Sequence, residues 1–513
     1  MKKNLLMLAF LGILFTSCKN SVLDELQPQK ENSEKQSIYS SIALNQIIKT
    51  DRVFQDDWNG LDDVPFRSRH YYPSNGLNLP VVVIAHADGA SQDYTDYDNI
   101  GFALAAQNMY VISINRKSYD MGAYHTFDAL LTAHLKRLYL DKNGQTLPLS
   151  TTSSDNGFQI LRPLSKNVML IGHSAGGRAM LYKGPSIIQN LHLDLKAVVG
   201  LAPTMNPEAP VFSNVPFFMI QGTADTDGGI CNHYQKASNV FDARAKVPVF
   251  EGYAGNQAER AYIMLHAAHY MEGNSKVVAL TKAIALAYLK TNRTLLNQYI
   301  RNQTNKLEGT WVQYWDNENQ EVVYNALPVF GQASPPTLTA NGVYLSQNAA
   351  YRHLGNDPER TSTLHRSYAL KITKNIFQLG KHQASFKIVF PQTIQNRQYL
   401  RFRAGELFDF TQREDYSAEG LDIRIRLIYK GIYRNSVSKW ASMSNVCGKV
   451  INPHTLLCPR NIMSSYVMPL TAFGYNGQQI SGVEFDLGGD FNQTLMMDDI
   501  AFTYPLLSVV NPS

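Results

Sequence analysis

The pentapeptide Gly172-His173-Ser174-Ala175-Gly176 follows the apolar run NVMLI (167–171) and precedes a helical pattern. A serine hydroxyl is a weak nucleophile, and to attack a carbonyl it needs a base within hydrogen-bond reach and donors waiting for the oxyanion. A Gly-x-Ser-x-Gly turn between a strand and a helix meets part of that need. Its outer glycines, Gly172 and Gly176, leave room in a turn too tight for larger side chains, so that Ser174 is held in a strained conformation with its oxygen presented. The N–H of Ala175, in the first turn of the helix, then points to where an oxyanion would form. His173 reads as a histidine that fills space beside the turn.

The acid and the base should follow Ser174 in the chain, at the ends of later strands of the same sheet. The strand PFFMIQG (216–222) runs into GTADTDGG, which puts Asp225 in the loop at its carboxyl end, with Asp227 as the alternative acid. An Asp in a Gly-rich turn is also an ordinary turn former. The next strand, AYIMLHA (261–267), leads to AHYMEG and offers two histidines. His266 falls inside the strand and should face the core, whereas His269 lies just past it, on a loop that can reach back over the serine. A second oxyanion donor should come from the loop after the early strand VVVIA (81–85), where His86-Ala87-Asp88-Gly89 makes a sharp turn and the N–H of Ala87 or Asp88 could face the site. The Asp88 carboxylate would oppose a second negative charge unless it turns away to a donor. His86 reads as a packing residue.

These residues need a scaffold, and its pattern begins near Val81. Apolar runs at 81–85, 110–114, 167–171, 196–202, 216–222 and 261–267 are separated by helical spacings, including Phe127, Leu130, Leu131, His134, Leu135 and Leu138, and are closed by a helical stretch over 275–302. Near-continuous apolar strands between helices predict a mostly parallel sheet covered on both faces, an α/β arrangement. Past Glu308 the period changes. LDIRIRLIY (421–429) alternates strictly, while SYALKITK (367–374) and ASFKIVF (384–390) nearly do, with turn residues between them. This predicts an all-β second domain, a sandwich or jelly roll. At 513 residues two domains are expected.

The first eighteen residues carry Lys2, Lys3, an apolar run from Leu5 to Phe15, and Thr16-Ser17-Cys18. The run is too short to span a bilayer as a mature helix and reads as a signal peptide. Small residues before a lone cysteine resemble a bacterial lipobox, which implies cleavage before Cys18, its lipidation, and a protein anchored in the cell envelope, the outer membrane being favoured; a plain secretory signal is the alternative. A polar tether over 19–45 follows, giving expected boundaries of 1–18, 19–45, 46–302 for the α/β domain and 303–513 for the β-sandwich. Export permits disulfides. Cys447 and Cys458 flank a short Gly- and Pro-containing segment that could close as a hairpin loop and are expected to pair, leaving Cys231 free; a zinc site with His454 would want a fourth ligand. The net charge of +5 is spread thinly, without the basic block that nucleic-acid binding would require.

Taken together, PVVVIAHADGAS, GHSAGGRAM, VPFFMIQGTADTD and AAHYMEG resemble the α/β-hydrolases of the group that includes dienelactone hydrolase, platelet-activating-factor acetylhydrolase, chlorophyllase and cutinase-like polyester hydrolases, over residues 50–295. The resemblance implies a nucleophile at Ser174, an acid at Asp225, a base at His269 and oxyanion N–H groups at Ala175 and Asp88; His86-Ala87 replaces the usual His-Gly. It implies hydrolysis of carboxylic esters with no metal or organic cofactor required. The polar connection 141–166 lacks the apolar face of a lipase lid and suggests an open site for bulky or extended esters. Residues 465–504 resemble the closing strands of galactose-binding-like jelly rolls. That resemblance raises carbohydrate as a partner, through Trp311, Tyr314, Trp315 or Trp440, although packing of these rings is the favoured reading. It also makes Asp486, Asp490, Asp498 and Asp499 candidates for a structural calcium. Alternatives to the esterase are a serine peptidase of the same fold and a non-catalytic surface glycan-binding lipoprotein.

Overall fold

The computed structural model describes residues 47–54, 66–87, 93–115, 124–139, 164–204, 215–222, 225, 258–265, 267–315, 320–324, 336–351, 367–374, 384–407, 421–430, 439–443, 450–452, 455–458, 464–488 and 494–503. Its first half is a mixed sheet flanked by helices. The strands are β1 (Ile47–Phe54), β2 (Phe66–Pro73), β3 (Leu79–Ala85), β4 (Tyr110–Ile114), β5 (Leu164–His173), β6 (Asp194–Leu201), β7 (Phe217–Gly222), β8 (Arg260–Leu265) and β9 (Thr310–Trp315). Among the described residues they order as β1-β2-β4-β3-β5-β6-β7-β8-β9. β3 to β8 run parallel, while β1, β2 and β9 join antiparallel at the edges.

The buried runs behave as their composition dictates. In β3 every residue is buried, Val81 and Val83 on one face and Val82 and Ile84 on the other. The first face is covered by α2 (Tyr124–Tyr139), α3 (Ala175–Tyr182) and α4 (Gly184–Asn190), and the second by α1 (Asp98–Ala105) and α5 (Ser275–Leu289). The expected 275–302 helix is interrupted after Leu289 and resumes as short turns over 294–301. β9 lies beyond residue 302 yet pairs with β8, so the large sheet extends past the expected domain boundary.

The second half is antiparallel, as the alternating patterns predict. Two sheets face each other. One holds β12 (Val343–Tyr351), β13 (Ser367–Lys374), β22 (Thr494–Thr503), β15 (Tyr399–Leu407) and β20 (Ser464–Pro469), with β10 (Gln320–Tyr324) also on β22; the other holds β11 (Thr337–Asn341), β14 (Ala384–Ile394), β21 (Ile480–Gly488), β16 (Leu421–Tyr429) and β17 (Lys439–Met443). One apolar cluster lies between them, with Phe386 stacked on Phe485 at 5.0 Å and Phe402 edge-on to Phe485 at 5.5 Å. The halves meet along β9. Tyr314 donates its N–H to Ser465 Oγ at 2.9 Å, the Arg401 guanidinium covers the Tyr314 ring at 4.7 Å, and Arg403 donates to Gln313 Oε1 at 2.9 Å.

Trp311 and Tyr314 are therefore buried, at 6% and 2% exposure, and present no ring to a sugar, because the edge strand β9 packs Trp311 into the cluster on one face of the large sheet and Tyr314 into that on the other. The Trp315 and Trp440 side chains lie outside the described residues. Of the acidic candidates for calcium, Asp486 is paired with Arg426, and both Asp498 and Asp499 are paired with Arg403; Asp490 lies outside the described residues, among which no group of three or more His, Cys, Asp or Glu could hold a metal ion. Residues 1–46, Cys231 and Cys447 also lie outside them, as does the Cys458 side chain, so the expected disulfide and lipidation at Cys18 do too. The chain between the two cysteines does turn back as a hairpin, β18 (Val450–Asn452) against β19 (Thr455–Cys458).

Candidate active site

The strand order reverses at β3, whose neighbours are β4 on one side and β5 on the other. A crevice outside the carboxyl ends of the strands at such a switch point is the usual ligand site of an open α/β sheet. At this point of the sheet lie the end of β3 and the turn from β5 into α3.

Ser174 occupies that turn with φ 53° and ψ −122°, a backbone conformation that a non-glycine residue adopts at a cost on the order of 1–3 kcal/mol. Three backbone hydrogen bonds hold it there. Its N–H donates to Leu201 O at 2.8 Å, and its carbonyl accepts from Arg178 N at 3.0 Å and Thr204 N at 3.1 Å. The glycines on either side have separate reasons. A Cβ on Gly172 would stand 2.3 Å from Gly176 O, and one on Gly176 would stand 2.6 Å from both Ala85 O and His86 O, at the end of β3. The pentapeptide thus brings β5, α3 and the loop after β3 closer together than side chains would permit. Ser174 is only 3% exposed, less open than the expectation, because it is packed between the ends of β3 and β6. Ala175 is the first residue of α3, so its N–H has no partner inside the helix.

Asp225 and His269 meet, although 44 residues separate them. His269 Nδ1–H donates to Asp225 Oδ1 at 3.0 Å, with the two residues 6% and 4% exposed. A carboxylate only accepts, so the proton is on Nδ1 and the basic lone pair of the neutral ring is on Nε2. The other carboxylate oxygen, Oδ2, accepts from the Gln221 amide, which is wholly buried in β7. Gly222 ends that strand. A Cβ there would lie 2.2 Å from Ala267 O and 2.6 Å from Ala268 O, so the loop bearing His269 crosses directly over the one bearing Asp225.

Of the two candidate N–H groups after β3, that of Ala87 turns to the Tyr97 hydroxyl at 3.4 Å. Asp88 lies outside the described residues, as do Asp227 and His266. His86 is buried, its Nδ1 donating to Ala87 O at 2.6 Å and its Nε2 standing 3.4 Å from Asn115 Oδ1. His173 is more than a filler: its Nε2 is 2.8 Å from His269 O and its Nδ1 is 2.8 Å from the Tyr97 hydroxyl. Desolvation by burial, aided by the neighbouring His269, lowers its pKa to about 3.

No protein-family model matches the chain, and no curated protein matches it at a significant level.

Sequence reasoning missed Gln221 and Tyr97. Gln221 did leave a signal, being the polar residue in the otherwise apolar FFMIQG. Tyr97 left none, since its partner His173 is 76 residues away and only the folded sheet brings them together.

Proposed function

We propose that this chain is a serine hydrolase of carboxylic esters with an α/β-hydrolase domain followed by a jelly-roll sandwich, exported through its first eighteen residues and lipid-anchored at Cys18. One observation carries the reading: a serine at φ 53° between a strand and a helix, in the same sheet as a buried Asp225–His269 pair on the loops after two later parallel strands. A structural turn has no need of a non-glycine residue at that φ, and a packing histidine has no need of a carboxylate.

In this reading His269 Nε2 takes the Ser174 proton as the oxygen attacks the ester carbonyl, and Asp225 holds the imidazole in the required tautomer and stabilises the imidazolium. The N–H groups of Ala175 and Asp88 receive the oxyanion. His269 then protonates the departing alcohol, and water, activated by the same base, releases the acid from Ser174. The test is hydrolysis of p-nitrophenyl esters from acetate to octanoate, together with labelling by a fluorophosphonate. Ester turnover and one label at Ser174 are expected. Inertness to both would sink the reading and leave glycan binding by the second half as the function to seek.

A further inference from the structure

Tyr97 and His173 are both fully buried, and the proposed reaction consumes neither. Tyr97 immediately precedes α1, and His173 is the last residue of β5. The direction of every hydrogen bond between them follows from chemistry. The carbonyl of His269 can only accept, so the 2.8 Å contact places the proton of His173 on Nε2. With the ring neutral, Nδ1 keeps a lone pair and accepts from the Tyr97 hydroxyl at 2.8 Å. The Tyr97 oxygen in turn accepts from Ala87 N–H at 3.4 Å. Glu272 Oε2 stands 3.6 Å from the same Nδ1, but a neutral ring whose Nδ1 is an acceptor forms no ion pair with it.

The result is one directed chain, from Ala87 N–H through Tyr97 and His173 to the His269 carbonyl. It links the loop after β3, the residue beside Ser174 and the backbone of the base. Above it the Tyr270 ring, half exposed, packs edge-on against His269 at 5.3 Å and His173 at 6.2 Å. Apolar side chains could fill this volume, but they would not fix a direction, whereas buried hydrogen bonds do.

We infer that Tyr97 and His173 are positioning residues, a buried brace that sets the His269 imidazole against Ser174 and ties the loop after β3 to the same frame. The kinetic part of this inference rests on the esterase reading; the geometric part does not.

The test uses the full-length protein and the variants Tyr97→Phe, His173→Leu and His173→Gln, the last able to donate to the His269 carbonyl and accept from Tyr97. Two readouts are taken. One is kcat and KM for p-nitrophenyl butyrate; the other is the far-downfield proton resonance of His269 Nδ1–H bonded to Asp225, assigned by its loss in His269→Ala. Tyr97→Phe and His173→Leu should lower kcat about tenfold to a hundredfold, the range expected for a misplaced reacting group, with KM within about twofold. Both should shift or broaden the resonance, and His173→Gln should restore most of each. If Tyr97→Phe, which deletes one oxygen, leaves kcat and the resonance unchanged, the brace is refuted, whether or not His173→Leu folds. Should wild type prove inert to esters while the resonance still moves in Tyr97→Phe, the brace stands and the esterase reading falls.

Discussion

Asp225 and Asp498 are both buried carboxylates with a nitrogen partner, and they are held in opposite ways. Asp225 lies past the end of β7, and His269 lies past the end of β8. Asp498 sits within β22, directly across the ladder from Arg403 of β15, at 2.9 Å. Asp499 would normally point to the other sheet face, but a bulge with φ 47° turns it so that it reaches the same guanidinium at 2.6 Å. Arg403 and Asp498 are 1% and 0% exposed, and ladder bonds hold their backbones in place. The first pair belongs to loops just past the carboxyl ends of two neighbouring parallel strands. The second is a clasp, and through Gln313 it also fastens the sandwich to the large sheet. The contrast teaches that chemistry is assigned by position on the scaffold more than by residue type.

If that contrast holds, damage to the two sites should have different consequences. The largest effect should come from Ser174→Ala or His269→Ala, each lowering kcat for p-nitrophenyl butyrate by on the order of 10⁴- to 10⁶-fold while the thermal midpoint stays within a few degrees of wild type. A large loss of stability instead would class the first site with the second. Conversely, Arg403→Ala takes the guanidinium away from the wholly buried Asp498 and from Asp499. It should cost about 3–5 kcal/mol in urea unfolding, with kcat/KM per folded molecule unchanged.

Titration sharpens the same comparison. An arginine does not titrate in the accessible range, whereas burial lowers the pKa of both His134 and His173 from 6.5 to about 3 and holds that of His70 well below the usual imidazole range. All three lie in the large-sheet half. In the unfolded chain they bind protons below about pH 6.5 that the folded chain refuses, so their stabilising contribution is complete above that pH and is lost as pH falls below it, toward 3 for His134 and His173. Each should contribute a slope of about 1.4 kcal/mol per pH unit in that window. His134→Leu, far from the site, should remove one such increment from urea midpoints measured between pH 7 and 5, and an unchanged slope would contradict the assignment. The smallest effect is expected of Gln221→Leu, which strips one donor from Asp225: about a tenfold loss of kcat, measured beside an unchanged KM.

Much of this was legible in the amino-acid order. Local composition fixes local structure, so NVMLI and VVVIA read as buried parallel strands, LDIRIRLIY as an alternating one, and Gly172 and Gly176 as residues of a tight strand-to-helix turn. The order Ser174, Asp225, His269 follows from the order of the strands, which is itself sequential. β9 escaped the boundary reading because TWVQYW carries no mark of which sheet will take it; pairing with β8 is a long-range choice. Likewise His173 looked like filler, since its meaning lies in the His269 carbonyl 96 residues away.

The sequence by itself determined the elements, their periods and the residue types able to do chemistry, because each depends on neighbours within a few positions. Only the tertiary structure decided which groups meet. It joined His269 to Asp225 across 44 residues, brought Tyr97 to His173 beside Ser174, and buried Arg403 against two aspartates, because hydrogen bonds between distant segments depend on where the sheet carries each strand end.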